Sequence, residues 1–167
     1  MSDKILDVNI RQLRWLIILS YFFGLMFDTM LLLNKATLFI PPVTLFLTLF
    51  WCAQFTNRTH ILSAFVLGLL ADTLYQTTLG SHALLFVVIT FMMIRHRLRF
   101  RAYPVWQQAF FISGYMMVYQ LLNFIFFSPV LSSQEMVTYW VMPAAAILLW
   151  PVVSTILRVT MQKLVSP

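Results

Sequence analysis

Residues 13–33 read LRWLIILSYFFGLMFDTMLLL, twenty-one positions interrupted only by Arg14 and Asp28 as ionisable acids or bases. A helix that crosses the ~30 Å hydrocarbon core of a bilayer needs about 20 predominantly apolar residues. The stretch therefore reads as a membrane span, and its apolar residues lie on every face of the helix. An amphipathic helix of a soluble core would confine them to one stripe.

The rest of the chain continues in the same way. Of its 167 residues 61% are hydrophobic and 10% charged, and the mean hydropathy is +0.87. Soluble domains carry about 25% charged residues, so lipid has to solvate much of this surface. The sequence predicts an all-α integral membrane protein, a bundle of six helices at about 13–33, 38–55, 61–76, 81–94, 106–127 and 137–157, in a single domain over 1–167. Pro41 and Pro42 fall in the first turn of the second helix, where a missing N–H costs little. Pro143 and Pro151 interrupt the sixth, and Pro151 is expected to kink it. The first apolar run has no small-residue cleavage site after it, so no cleavable leader is expected.

Basic residues set the orientation, because cytoplasmic segments of membrane proteins are enriched in Lys and Arg. With the N-terminus inside, the inner segments hold Lys4, Arg11, Arg14, Arg58, Arg95, Arg97, Arg99, Arg101, Arg158 and Lys163, and the outer segments hold only Lys35. Six spans with both termini cytoplasmic give this split, and an odd number would scramble it. The net charge of +6 thus reports topology rather than nucleic-acid binding. The run RHRLRFR, residues 95–101, reads as a cytoplasmic basic loop. It suits either an anchor on anionic lipid or a docking site for a cytoplasmic protein.

The third and fourth segments are short. Ile61 to Ile94 spans 34 residues, about 51 Å of continuous helix, whereas two crossings need about 60 Å. The turn carrying Gln76, Thr77, Thr78, Ser81 and His82 is therefore expected below the outer surface, beneath a depression open to the outside. Polar backbone at that depth has to be buried in protein or face a wet cavity.

Ionisable side chains inside a bilayer are expensive and tend to be functional. Asp28 and Asp72 qualify. Ser20, Gly24 and Asp28 recur every fourth residue and share a helix face. Ala64, Gly68, Ala71 and Asp72 form a small-residue face of the kind that lets helices approach closely. Ser113, Gln120 and Asn123 line a third polar face. These faces are expected to meet inside the bundle, with Asp28, Gly68, Asp72, Gln76, Gly80, His82, Gln120 and Asn123 as candidate pocket or partner residues. Three roles stand open for the two aspartates: structural hydrogen bonding, ligand binding or proton relay, and contact with a partner helix.

Other chemistry finds no footing. Cys52 is the sole cysteine and sits in an apolar stretch, so no disulfide or thiolate cluster can form. His60, His82 and His96 lack metal-ligand spacing, and no HExxH, GxSxG or phosphate-cradling glycine loop occurs. No catalytic residue, metal or cofactor is expected. The tryptophans at 15, 51, 106, 140 and 150 fall mostly near predicted span ends, as in an aromatic belt.

The stretch GLLADTLYQTTLGSHALLF, residues 68–86, resembles the signature of the MreD family: a glycine, an aspartate on the same helix, and a leucine–glycine pair some eight residues on, here Gly68, Asp72, Leu79 and Gly80. PVWQQAFF, residues 104–111, after a basic segment, is similar to the gammaproteobacterial members. Length, basic lead, hydrophobicity and span order agree over essentially the whole chain. The resemblance implies a non-enzymatic, multi-pass inner-membrane component of the bacterial rod-shape machinery. It implies MreC, a single-span periplasmic scaffold, as direct partner, within a wider assembly of MreB, RodA and its transpeptidase. It also implies a six-helix fold like the substrate-binding subunits of energy-coupling-factor transporters. A small-molecule or lipid-binding transporter subunit is the alternative function.

Overall fold

The computed structural model describes residues 10–33, 40–55, 60–127 and 133–165. Lys4, Lys35, Arg58 and the expected start of the second helix at Leu38 lie outside them. Among the described residues the chain forms six helices and no strand: α1 (Ile10–Leu33), α2 (Val43–Gln54), α3 (His60–Tyr75), α4 (Ser81–Ala102), α5 (Val105–Phe127) and α6 (Ser133–Val165). Three stretches are long and apolar enough to cross a membrane: Leu13–Leu33, Val105–Phe127 and Glu135–Lys163. The apolar helices α2 and α3 are shorter.

Neighbouring helices run antiparallel. Asp28 of α1 bonds Val43 and Thr44 at the start of α2. Two turns earlier, Ser20 of α1 receives the indole N–H of Trp51 near the end of α2 at 2.9 Å. The predicted Ser20–Gly24–Asp28 face is thus the face that packs on α2, and Gly24 lies against Leu47 and Thr44.

Helix α2 is the centre of the molecule. Every residue from Thr44 to Ala53 is buried, as expected of a helix that is apolar all round. It touches α1, α3, α4 and α6. At 12 residues it is about 18 Å long and cannot span a ~30 Å core. Its orphan terminal N–H and C=O groups therefore need partners from the protein. Outward faces of the surrounding helices stay apolar and exposed, as at Phe22, Phe23, Met30, Phe110, Ile125 and Leu148.

Two expectations are corrected. Arg95–Arg101 is helix rather than loop, since α4 continues to Ala102. Nothing in RHRLRFR breaks a helix, and the break comes at Pro104. Tyr103 before it is extended (φ −81°, ψ 146°), the conformation a following proline imposes. The tryptophans do not all form a belt. Trp15 and Trp106 are exposed, but Trp51 and Trp150 are buried core residues. Trp150 packs on Phe46 and Phe100, with ring centroids 5.9 and 5.7 Å apart. Residues 133–165 form one continuous helix through both of its prolines.

Candidate functional site

Asp72 is completely buried and surrounded by donors. Its Oδ1 accepts from the His82 backbone N–H at 2.8 Å and from Thr77 Oγ1 at 2.9 Å, and lies 2.9 Å from His82 Nδ1. Its Oδ2 accepts from the Gly80 N–H at 2.8 Å, with the Ala83 N–H at 3.5 Å. Gly80 is the N-cap of α4, so this carboxylate occupies the place of a capping side chain supplied from another helix. N-terminal N–H groups of a helix have no intrahelical partner and carry partial positive charge, which a carboxylate complements.

The local sequence makes this closure possible. Gly68 lets α3 touch the first turn of α4, since a Cβ there would lie 2.3 Å from Ala83 Cα and 2.8 Å from the His82 carbonyl oxygen. The chain then reverses through two left-handed residues, Gln76 (φ 54°) and Gly80 (φ 100°). Thr77 N–H bonds the Asp72 carbonyl at 3.1 Å. The turn it pins presents Leu79, 75% exposed, at its tip.

Asp28 does the same for α2. Its oxygens accept the Val43 N–H at 2.6 Å and the Thr44 N–H at 3.0 Å, the first two residues of a helix whose N-cap, Pro42, offers no side-chain acceptor. The parallel is written in the sequence. Gly24-Leu25-Met26-Phe27-Asp28-Thr29 and Gly68-Leu69-Leu70-Ala71-Asp72-Thr73 share the pattern GLxxDT, 44 residues apart. Each glycine admits the next helix and each aspartate caps it. Sequence reading noted both aspartates but not the repeat, which would have indicated a common structural role.

Other polar groups in the bundle also serve interrupted backbone. The opposite end of α2 closes on Phe55, whose carbonyl accepts from Arg97 Nη1 at 3.2 Å and lies 3.0 Å from His60 Nε2. Pro143 has no N–H, which leaves the carbonyl of Tyr139, four residues back, without its helical partner. Gln120 of α5 donates its side-chain amide to that carbonyl, and Tyr139 Oη returns a bond to the Gln120 carbonyl at 3.0 Å. Gln108 donates to the carbonyls of Phe100 and Tyr103 at the end of α4.

The expected meeting of polar faces is only partly formed. Gln120 and Ser113 face α6, where Ser113 Oγ bonds the Pro143 carbonyl at 2.7 Å. Asn123 lines a cavity of about 150 Å³ together with Asp28, Tyr75 and Tyr119. Asp72 is enclosed, Gln76 is exposed, and His82 is buried against Tyr75 and stacked on Phe127. Of the basic run, Arg97 is half-buried on Phe55, and Arg95, Arg99 and Arg101 are exposed.

Thr77, Asp72 and His82 have the composition of a nucleophile, acid and base. In such a triad the carboxylate and the nucleophile lie on opposite ring nitrogens of the histidine. Here Thr77 Oγ1, 3.2 Å from His82 Nδ1, and Asp72 are on the same nitrogen. The cluster is built to hold a turn. Among the described residues no group of His, Cys, Asp and Glu could hold a metal ion.

Comparison with known families gives one assignment. The family model described as "rod shape-determining protein MreD" matches residues 9–160, nearly the whole chain. No solved structure matches the chain.

Proposed function

We propose that this chain, which belongs to the MreD family of rod shape-determining membrane proteins, is a non-catalytic scaffold that binds MreC within the bacterial cell-wall elongation complex. The chain would be a single six-helix domain of the inner membrane with both termini cytoplasmic, the short α2 held inside the bundle, its arginine-rich end facing MreB and its membrane surface facing RodA and its transpeptidase.

The observation that carries this reading is the use made of the polar side chains. Both intramembrane carboxylates are spent on capping helices, and Gln120 on a proline gap. A rigid bundle remains, with apolar outer faces and one fixed turn. A scaffold needs a surface whose shape does not change on binding, because ordering a mobile one would subtract from affinity. The exposed Leu79 tip, whose turn Asp72 holds, is the surface this reading offers to the juxtamembrane segment of a single-span partner. The cavity beside Asp28, about 150 Å³, falls below the ~300 Å³ at which small-molecule pockets begin, so the intramembrane carboxylates do not supply the ligand site that the transporter-subunit reading needs.

Copurification of MreC with the Leu79→Asp variant tests the docking surface. Leu79 makes no bond to the capping cluster, so the variant is expected to fold and to retain at least about ten-fold less MreC. If MreC copurifies equally well with Leu79→Asp and with Asp72→Leu, docking lies elsewhere. Cells that remain rod-shaped on depletion would remove the function itself.

A further inference from the structure

At the arginine-rich end, the last turns of α2, α4 and α6 and the first turn of α5 enclose a second cavity of about 320 Å³. At about 30 Å³ per water it has room for some ten waters or a small headgroup. Its wall includes Arg101, Arg158, Gln108 and Trp150, with Phe50 and Phe100 as its apolar floor.

Three features give it a chemical preference. Arg158 donates from Nη2 to Gln108 Oε1 at 3.0 Å, and its buried Nε–H has no partner among the described residues. Trp150 is 1% exposed, and its indole N–H is likewise unpaired, although a buried indole N–H usually finds an acceptor. Among the described residues the carboxylates are Asp28, Asp72 and Glu135. Asp28 and Asp72 cap the far ends of α2 and α4, and Glu135 is in the first turn of α6, more than twenty residues from Arg158. Among the described residues the cavity therefore offers donors and positive charge, with no carboxylate at that end to answer them.

We infer that this cavity binds a phosphate oxyanion, carried by an anionic phospholipid headgroup or by free phosphate, between Arg101 and Arg158. Arginine presents a planar fork of donors that matches phosphate oxygens. Gln108 orients that fork, being itself fixed by two backbone carbonyls. The opening at the basic end of the bundle is at headgroup level if the chain is oriented as its charge distribution indicates. The inference goes beyond general attraction of anionic lipid to RHRLRFR, because it names a cavity and excludes Arg95 and Arg99 from it.

Native mass spectrometry of the full chain from neutral detergent tests this, with phosphatidylglycerol, phosphatidylcholine and inorganic phosphate as separate probes. One phosphatidylglycerol is expected to be retained in preference to phosphatidylcholine. Arg158→Gln and Arg101→Gln should each weaken it at least about ten-fold, the value of one charge-assisted hydrogen bond. The Arg95→Gln/Arg99→Gln double variant, which removes more charge outside the cavity, should change it less than about three-fold. Arg101 is exposed, so Arg101→Gln remains informative if Arg158→Gln fails to fold. Binding of inorganic phosphate that Arg158→Gln abolishes would identify the free ion as sufficient. Retention of phosphatidylglycerol alone would identify the lipid as the source. Equal losses in the cavity variants and the outer double variant, or no preference over phosphatidylcholine, would overturn the assignment.

Discussion

Replacing Asp72 tests the central structural reasoning. Four donors lie within 3.0 Å of its carboxylate: two backbone N–H groups, the Thr77 hydroxyl and His82 Nδ1. The hydroxyl and the imidazole are already within 3.2 Å of each other and can partly re-pair. The N–H groups of Gly80 and His82 cannot, because they lie at the start of a helix. Each unsatisfied buried donor costs about 1–3 kcal/mol. Asp72→Ala should therefore cost about 3–6 kcal/mol, including the lost volume. Asp72→Asn keeps the shape and one acceptor oxygen but turns an amide N–H₂ toward one of the donors, so about 2–3 kcal/mol is expected. Asp28→Ala strips only two N–H groups and should cost less than Asp72→Ala, about 1–4 kcal/mol. Equilibrium unfolding in mixed micelles of neutral detergent and dodecyl sulfate, followed by circular dichroism, measures the order. An Asp72→Asn protein within 0.5 kcal/mol of the parent would refute the capping role, and so would Asp28→Ala costing more than Asp72→Ala. Loss of function with unchanged stability in Asp72→Asn would instead favour proton relay.

Gly68→Ala should destabilise by about 1–3 kcal/mol, because the added methyl meets backbone atoms of Ala83 and His82 that cannot move aside. Gly114→Ala, with nothing within 4 Å, should be neutral or stabilising by up to about 1 kcal/mol in the same unfolding assay. Gln120→Leu should cost about 1–3 kcal/mol by leaving the Tyr139 carbonyl unpaired, and Pro143→Ala, which restores the N–H that carbonyl lacks, should recover part of the loss. A double-mutant cycle with coupling below about 0.5 kcal/mol would show that the amide does not serve the proline gap.

Much of the architecture was legible in the chain. The Ser20–Gly24–Asp28 and Ala64–Gly68–Asp72 faces follow from helical spacing alone, and they are the faces on which α1 meets α2 and α3 meets α4. The eight-residue separation of Asp72 and Gly80 in the family signature is the span of a clamp from Asp72 Oδ2 to the Gly80 N–H. The basic run misled. Arg95–Arg101 looks like a loop because its apolar pattern ends, yet helices stop where backbone bonding stops, and Pro104 sets that point. Arg97 could not be told from its neighbours, because its partner is a carbonyl 42 residues earlier. Trp51 and Trp150 misled in the same way, since position near a span end says nothing about which side faces lipid.

Hydropathy is a sum over local residues, so the sequence by itself determined that lipid is the solvent of much of the surface and that the chain is helical. It also carried the GLxxDT repeat that places a glycine and an aspartate ahead of α2 and again ahead of α4. What each polar side chain does was decided by tertiary structure. Asp28, Asp72, Arg97, Gln108 and Gln120 all bond backbone groups left open by a short helix, a helix end or a proline. Those openings lie five to 42 residues away along the chain. In a medium without water every such group must find a partner, and only the packing of the six helices determines which side chain is near enough to supply it.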